Sequence, residues 1–256
     1  MSITAREVTS RIAFQSRALK MPAIREVAAD LADRARLEGW SHEEYLAQVL
    51  DRQMSQREAA GLRNRLARAH LPSRKTLADF NPDYQRSLSR ETLAYLSTAA
   101  FADKADNIIL LGPPGVGKTH LAQGLAIAAI EAGHSAIFDT ATGWLERLTQ
   151  AHNQGHFDAE VRKLSRYKVL VIDEVGYIPF DAAAANLFFQ LIASRYEQAS
   201  IIITSNLPFG RWGEIFSDDT IAAAMIDRLI HHSEVIALDG ESYRTKHRKT
   251  LLKQNK

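Results

Sequence analysis

The chain has no cysteine, which excludes disulfide frameworks, thiolate-bound metals and cysteine nucleophiles. It also lacks any apolar run approaching the roughly 20 residues of a membrane helix. Residues Met1 to Ala13 alternate polar and apolar side chains, so the apolar core of a signal peptide is missing as well. No internal repeat or low-complexity tract is present. These absences lead to the expectation of a soluble cytoplasmic protein without a membrane partner. The 256 residues, 46% of them hydrophobic, suffice for one full α/β domain and a smaller companion.

Net charge is only +2, but it is unevenly distributed. Residues 1–90 carry a net +5, residues 91–240 a net −8 and residues 241–256 a net +5. Basic ends around an acidic middle fit contact between the ends and a polyanion, or solvated helix faces.

The chain reads as helical from its start to the Leu71-Pro72-Ser73 break. Pro22 is placed to open a helix over Ala23–Leu37, Gly39 to stop it, and Ser41-His42-Glu43-Glu44 to cap another. That second pattern continues through Leu62, Leu66 and Ala69, with Arg57, Arg63, Arg65 and Arg68 on other faces. The reading is a helical domain over 1–70, a connector over 71–90 and an α/β domain over 91–256. In the last of these, five β-rich runs appear: Asn107–Leu111, Ser135–Asp139, Lys168–Ile172, Ser200–Thr204 and Glu234–Leu238. Helical stretches separate them, which predicts a parallel sheet covered on both faces.

The first run feeds into Gly112-Pro113-Pro114-Gly115-Val116-Gly117-Lys118-Thr119, followed by a helix. This is G-x-x-x-x-G-K-T in its strand–loop–helix setting. Glycines let backbone N–H groups turn toward phosphates at a helix N-terminus, whose dipole favours anions. Lys118 supplies a point charge to the β- and γ-phosphates, and the Thr119 hydroxyl is a ligand for Mg²⁺. The third run, well downstream of Thr119, ends in Asp173-Glu174. Asp173 can serve the metal, and Glu174, just off the strand end, can polarise an attacking water. The fourth run ends in polar groups, where Asn206 can orient that water or merely make a turn before Pro208.

These residues together resemble the IstB-like ATP-binding helper proteins of bacterial insertion sequences, in the AAA+ branch that includes the DnaC helicase loader and the DnaA initiator. The resemblance covers roughly residues 15–250. It rests on residues 112–120 ending in His120, Val171–Tyr177, Thr204–Phe209, Ile226–His232 and Gly240–Arg244. It implies an AAA+ P-loop NTPase with a five-stranded parallel sheet in order 5-1-4-3-2, preceded by the small helical domain. It further implies that His120 belongs to the nucleotide site, that Asn206 is the sensor-1 residue, and that Arg228 acts as an arginine finger on a neighbouring subunit's ATP; read from the residues alone, Arg228 is equally a surface side chain paired with Asp227 or Glu234.

The stretch from Gly240 to Lys256 is too short for the helical lid usual in this class, so the lid is expected to be absent or truncated. Arg244 stands where such a lid would begin, and Phe80 or Asn81 are candidate nucleotide contacts. In the related initiators the segment between strands two and three touches DNA. Here it ends in Lys163 and Arg166, which join Arg57, Arg63, Arg65 and Arg68 as candidate DNA contacts. The expected function is that of an Mg-ATP-hydrolysing protein that oligomerises on double-stranded DNA, largely without sequence preference, and assists a transposase. A helicase loader, or an ATP-controlled scaffold that does not hydrolyse, are the alternatives.

Overall fold

The computed structural model describes residues 4–240 together with Ser242 and Tyr243. The chain divides into two compact units, Met1–Asn64 and Arg65–Lys256.

The first unit is helical: α1 (Ala5–Ala18), α2 (Pro22–Glu38) and most of α3 (His42–Arg68). Thr4 and Glu7 cap α1 reciprocally, and Ser41 and Glu44 do the same at the start of α3. Met21 gives α2 no side-chain cap. The buried amide of Gln53 instead accepts a hydrogen bond from the Ala23 N–H at 3.1 Å, satisfying a donor that the helix start leaves open. Gly39, at φ 70°, ends α2 in the left-handed conformation that glycine adopts without strain.

In the second unit α4 (Arg90–Ser97) and α5 (Ala100–Lys104) lead into β1 (Asn107–Leu111) and α6 (Lys118–Glu131). The chain continues through β2 (Ala136–Thr140), α7 (Ala141–Asn153), α8 (Phe157–Leu164) and β3 (Val169–Val175). It is completed by α9 (Ala182–Arg195), β4 (Ser200–Ser205), α10 (Gly213–Phe216), α11 (Asp219–Ile230) and β5 (Ser233–Ala237). All strand pairings are parallel, in the order β2-β3-β4-β1-β5. Read from the other edge this is the 5-1-4-3-2 order that the resemblance implies. Strands β1, β3 and β4 are apolar and buried because helices cover both faces. Among the described residues no helix is long and apolar enough to cross a membrane.

One polar device ties the base of the sheet together. Arg195, the last residue of α9, is 1% exposed. Its guanidinium donates to the carbonyls of Leu164 (3.1 Å), Tyr167 (2.9 Å), Lys168 (3.4 Å) and Ser200 (3.1 Å). Burial lowers its pKa to about 10, so it remains a cation at neutral pH. Arg195→Leu removes all four of these bonds; the Leu164 and Lys168 carbonyls keep the N–H groups of Tyr167 and Ser200, but the Tyr167 carbonyl loses its donor. Stability should fall by at least about 3 kcal/mol, read as a lower urea midpoint at an unchanged m-value.

Candidate nucleotide site

The P-loop leaves β1 at Gly112 and enters α6 at Lys118. At Gly112 a Cβ would stand 2.1 Å from the Leu238 carbonyl oxygen, so no larger residue fits without moving backbone. Gly117, at φ 103°, turns the chain into the helix in a conformation that L side chains rarely adopt. Lys118 is buried, and its ammonium donates to the carbonyls of Gly112 (2.7 Å) and Pro113 (2.9 Å). Burial lowers its pKa, opposed by the nearby carboxylates of Asp173 and Glu174.

Those carboxylates sit on a bulge. Ile172 pairs with Ile203 and Val175 with Ser205, so Asp173 and Glu174 together oppose the single residue Thr204. The Thr204 hydroxyl serves both: it donates to Asp173 Oδ1 at 2.5 Å and accepts the Glu174 N–H at 2.9 Å. Asp173 is buried, and its Oδ1 also accepts from the Thr119 hydroxyl at 3.1 Å. Glu174 takes φ 64° and is exposed, whereas Asp173 and Val175 on either side of it are buried. The sequence reading, which set Glu174 just beyond the strand end, is corrected here. Strand β3 runs on through Val175, and the bulge turns Glu174 outward from within it.

Asn206 follows β4, and its side-chain oxygen is buried without a hydrogen-bond partner among the described residues. It lies against Gly176, where an added Cβ would meet it at 2.7 Å. Thr119 and Asp173 present hard oxygens in contact with each other, the donor type that Mg²⁺ takes.

A cavity of about 390 Å³ opens beside the P-loop. Its walls include Phe80, Asn81, Tyr84, Val116, His120 and Tyr243. The connector closes one side: the Phe80 ring meets His120 edge-on at 5.5 Å, and the Gln85 amide donates to the Val116 carbonyl at 3.3 Å. His120 is itself fixed by a 2.9 Å bond between Nε2 and the Thr76 carbonyl. From the other side the Tyr243 N–H donates to the Gly115 carbonyl at 3.0 Å, and the Tyr243 ring meets Tyr84 edge-on at 5.1 Å. Thr204, Tyr84, Gln85 and Tyr243 are residues that the sequence reading did not single out. Arg244 lies outside the described residues.

Arg228 is on α11, close to its end. Its guanidinium lies 4.9 Å from the centre of the Phe189 ring and donates to the Ala224 carbonyl at 3.0 Å. It pairs with neither Asp227 nor Glu234. The neighbouring Leu229 carbonyl accepts from the Asn107 side chain at the start of β1. The P-loop begins only after the other end of that strand, which is roughly 16 Å long.

Of the six candidate DNA contacts, four converge. Arg65, Arg68, Lys163 and Arg166 line one cleft of about 400 Å³ with Ser135 and Tyr167. Lys163 approaches Glu160 at 3.6 Å, and the other three cations have no carboxylate within 4.0 Å among the described residues. The backbone beneath them is fixed: the Ala69 carbonyl accepts from Phe138 in β2 at 2.8 Å, and the Ser135 hydroxyl donates to the Arg166 carbonyl at 3.1 Å. Arg57 and Arg63 belong to the first unit, where both are exposed.

Comparison with known proteins agrees with this geometry. The chain is 39% identical over 231 residues to the ATP-binding protein named for insertion sequence IS21 of Pseudomonas aeruginosa, covering 90% of this chain and 87% of that one. It is 38% identical over 231 residues to the corresponding protein of insertion sequence IS5376 of Geobacillus stearothermophilus, covering 90% and 92%. Among solved structures, the DnaC helicase loader superposes with a TM-score of 0.54 at 19% identity, over 64% of this chain and 97% of that one. The replication initiator DnaA bound to AMPPCP and single-stranded DNA gives 0.54 at 20% identity, over 72% and 56%. At those identities the two structures share the fold. Residues 14–251 match the family described as IstB-like ATP binding protein. With a match of that length and relatives this similar across nearly their whole sequences, the chain belongs to the IstB-like ATP-binding protein family.

Proposed function

We propose that this protein hydrolyses ATP to ADP and phosphate while assembled as a homo-oligomer on DNA, and that it assists the transposase of an insertion sequence. The observation that carries the hydrolytic reading is the hydrogen-bonded chain Thr119–Asp173–Thr204–Glu174 beside the P-loop. In it one carboxylate is buried toward the metal position and the next is turned outward by a bulge. A protein that only bound ATP would have no use for the second. Lys118 exchanges its carbonyl partners for the phosphates. Thr119 and Asp173 would hold Mg²⁺, which when bound neutralises charge on the phosphate oxygens. Glu174 takes a proton from the attacking water, and the unpartnered Asn206 oxygen accepts a hydrogen bond from that water. The cavity walled by Phe80, Tyr84 and Tyr243 receives the base. Phosphate release measured with and without DNA tests this reading directly. No release under either condition, with ATP bound, would leave a scaffold.

The DNA reading rests on the cleft of Arg65, Arg68, Lys163 and Arg166, together with the names of the relatives and of the DNA-bound initiator. Contacts of this kind meet phosphates and so are largely indifferent to sequence. Each phosphate neutralised contributes about −0.9 to the slope of log affinity against log salt. Replacing all four cations by Gln should flatten that slope by about three to four units and leave nucleotide binding intact. An unchanged slope would move the grip elsewhere, to Arg57 and Arg63 first.

A further inference from the structure

The end of the sheet opposite the P-loop holds a cluster that ATP chemistry does not use. Tyr196 and Glu197 follow α9, and His231 and His232 follow α11. Glu197 Oε1 lies 3.7 Å from His231 Nδ1 and 3.5 Å from His232 Nε2. One ligand atom from each residue can be chosen so that all three lie within 4.8 Å of one another. The imidazole rings meet edge-on, with centroids 4.3 Å apart.

We propose that Glu197, His231 and His232 form a binding site for a divalent transition metal of the zinc class. Tetrahedral bonds of about 2.0–2.1 Å leave neighbouring ligand atoms about 3.3 Å apart, so the two observed separations from Glu197 need to close by only a few tenths of an ångström. The ligand set, two imidazoles and a carboxylate, suits zinc and its neighbours rather than magnesium. The Tyr196 hydroxyl lies 2.8 Å from His231 Nδ1, a bond that His231 would exchange for the ion on binding. All three ligands are about half exposed, so an ion can enter without unfolding. Bound there, it would join the end of α9, which carries Phe189, to the end of α11, which carries Arg228. The ion would thus stiffen the platform on which Arg228 rests.

The test uses the full untagged chain, stripped with chelator and free of nucleotide, so it does not depend on ATP hydrolysis. Calorimetric titration with Zn²⁺ should show one saturable site, and Co²⁺ should give the intense visible bands of a low-coordinate complex. Glu197→Gln, His231→Gln and His232→Gln should each weaken Zn²⁺ binding by at least about tenfold. His152→Gln with His156→Gln should leave it unchanged. Zn²⁺ should raise the melting temperature of the unaltered protein and not that of the His231→Gln/His232→Gln variant. Absence of saturable binding, or equal affinity in that double variant when correctly folded by circular dichroism, overturns the proposal.

Discussion

Glu174→Gln should bind ATP like the unaltered protein and turn it over about 10²–10⁴ times more slowly. The amide keeps the size and most hydrogen bonds of the carboxylate but cannot take a proton. The backbone at 174 stays as it is, because the Thr204 hydroxyl bonds the main-chain N–H and not the side chain. Lys118→Ala should behave differently. Its ammonium is buried among the P-loop carbonyls, so removing it should weaken ATP binding itself. Measuring nucleotide affinity and phosphate release on both variants separates the two roles. Normal hydrolysis by Glu174→Gln would remove Glu174 from the chemistry.

The largest effect is expected at Arg228. An arginine finger contributes about 10³–10⁵ in rate. We propose that Arg228, near the end of α11 and over the Phe189 ring, serves a neighbouring subunit's ATP in this way. Activity should therefore rise more than linearly with protein concentration, and further with DNA that aligns subunits. Arg228→Ala and Lys118→Ala should each be nearly inactive alone. Mixed, they should recover part of the activity, since an Arg228→Ala subunit retains a P-loop that a neighbour's Arg228 can complete. Failure to recover, with both variants still assembling on DNA, would return Arg228 to a structural role over Phe189.

What could be read in the sequence followed from periodicity and from motifs whose atoms are adjacent along the chain. The run Asn107–Leu111 is a strand with those bounds, and α2 lies within a residue of its expected ends. Glycine spacing located the P-loop because the turn depends on local backbone freedom. The base cavity was legible only in part. Phe80 and Asn81 were candidates, but Tyr84 and Gln85, a few residues on in the same connector, stand in no motif, and Tyr243 reaches the cavity from far along the chain. Thr204 escaped notice because a buried threonine at a strand end is ordinary. Its role arises from the bulge opposite it, and nothing in Val169–Val175 marks an extra residue. The basic cleft was hidden for a similar reason. Arg65 and Arg68 are far from Lys163 and Arg166 in the sequence, and only the edge of the sheet at β2 brings them together.

The left-handed backbone at Glu174 has a consequence for how the protein would drift. A non-glycine residue at φ 64° carries strain of about 1 kcal/mol or more, which glycine would relieve. Glu174→Gly should thus be a gain for folding and a loss for turnover. A lineage freed from selection on ATP hydrolysis, or a laboratory screen scored on thermal resistance alone, would tend to accept it. On the hydrolytic reading proposed above, a glutamate kept at this position would be held there by its chemistry against the pull of its own backbone.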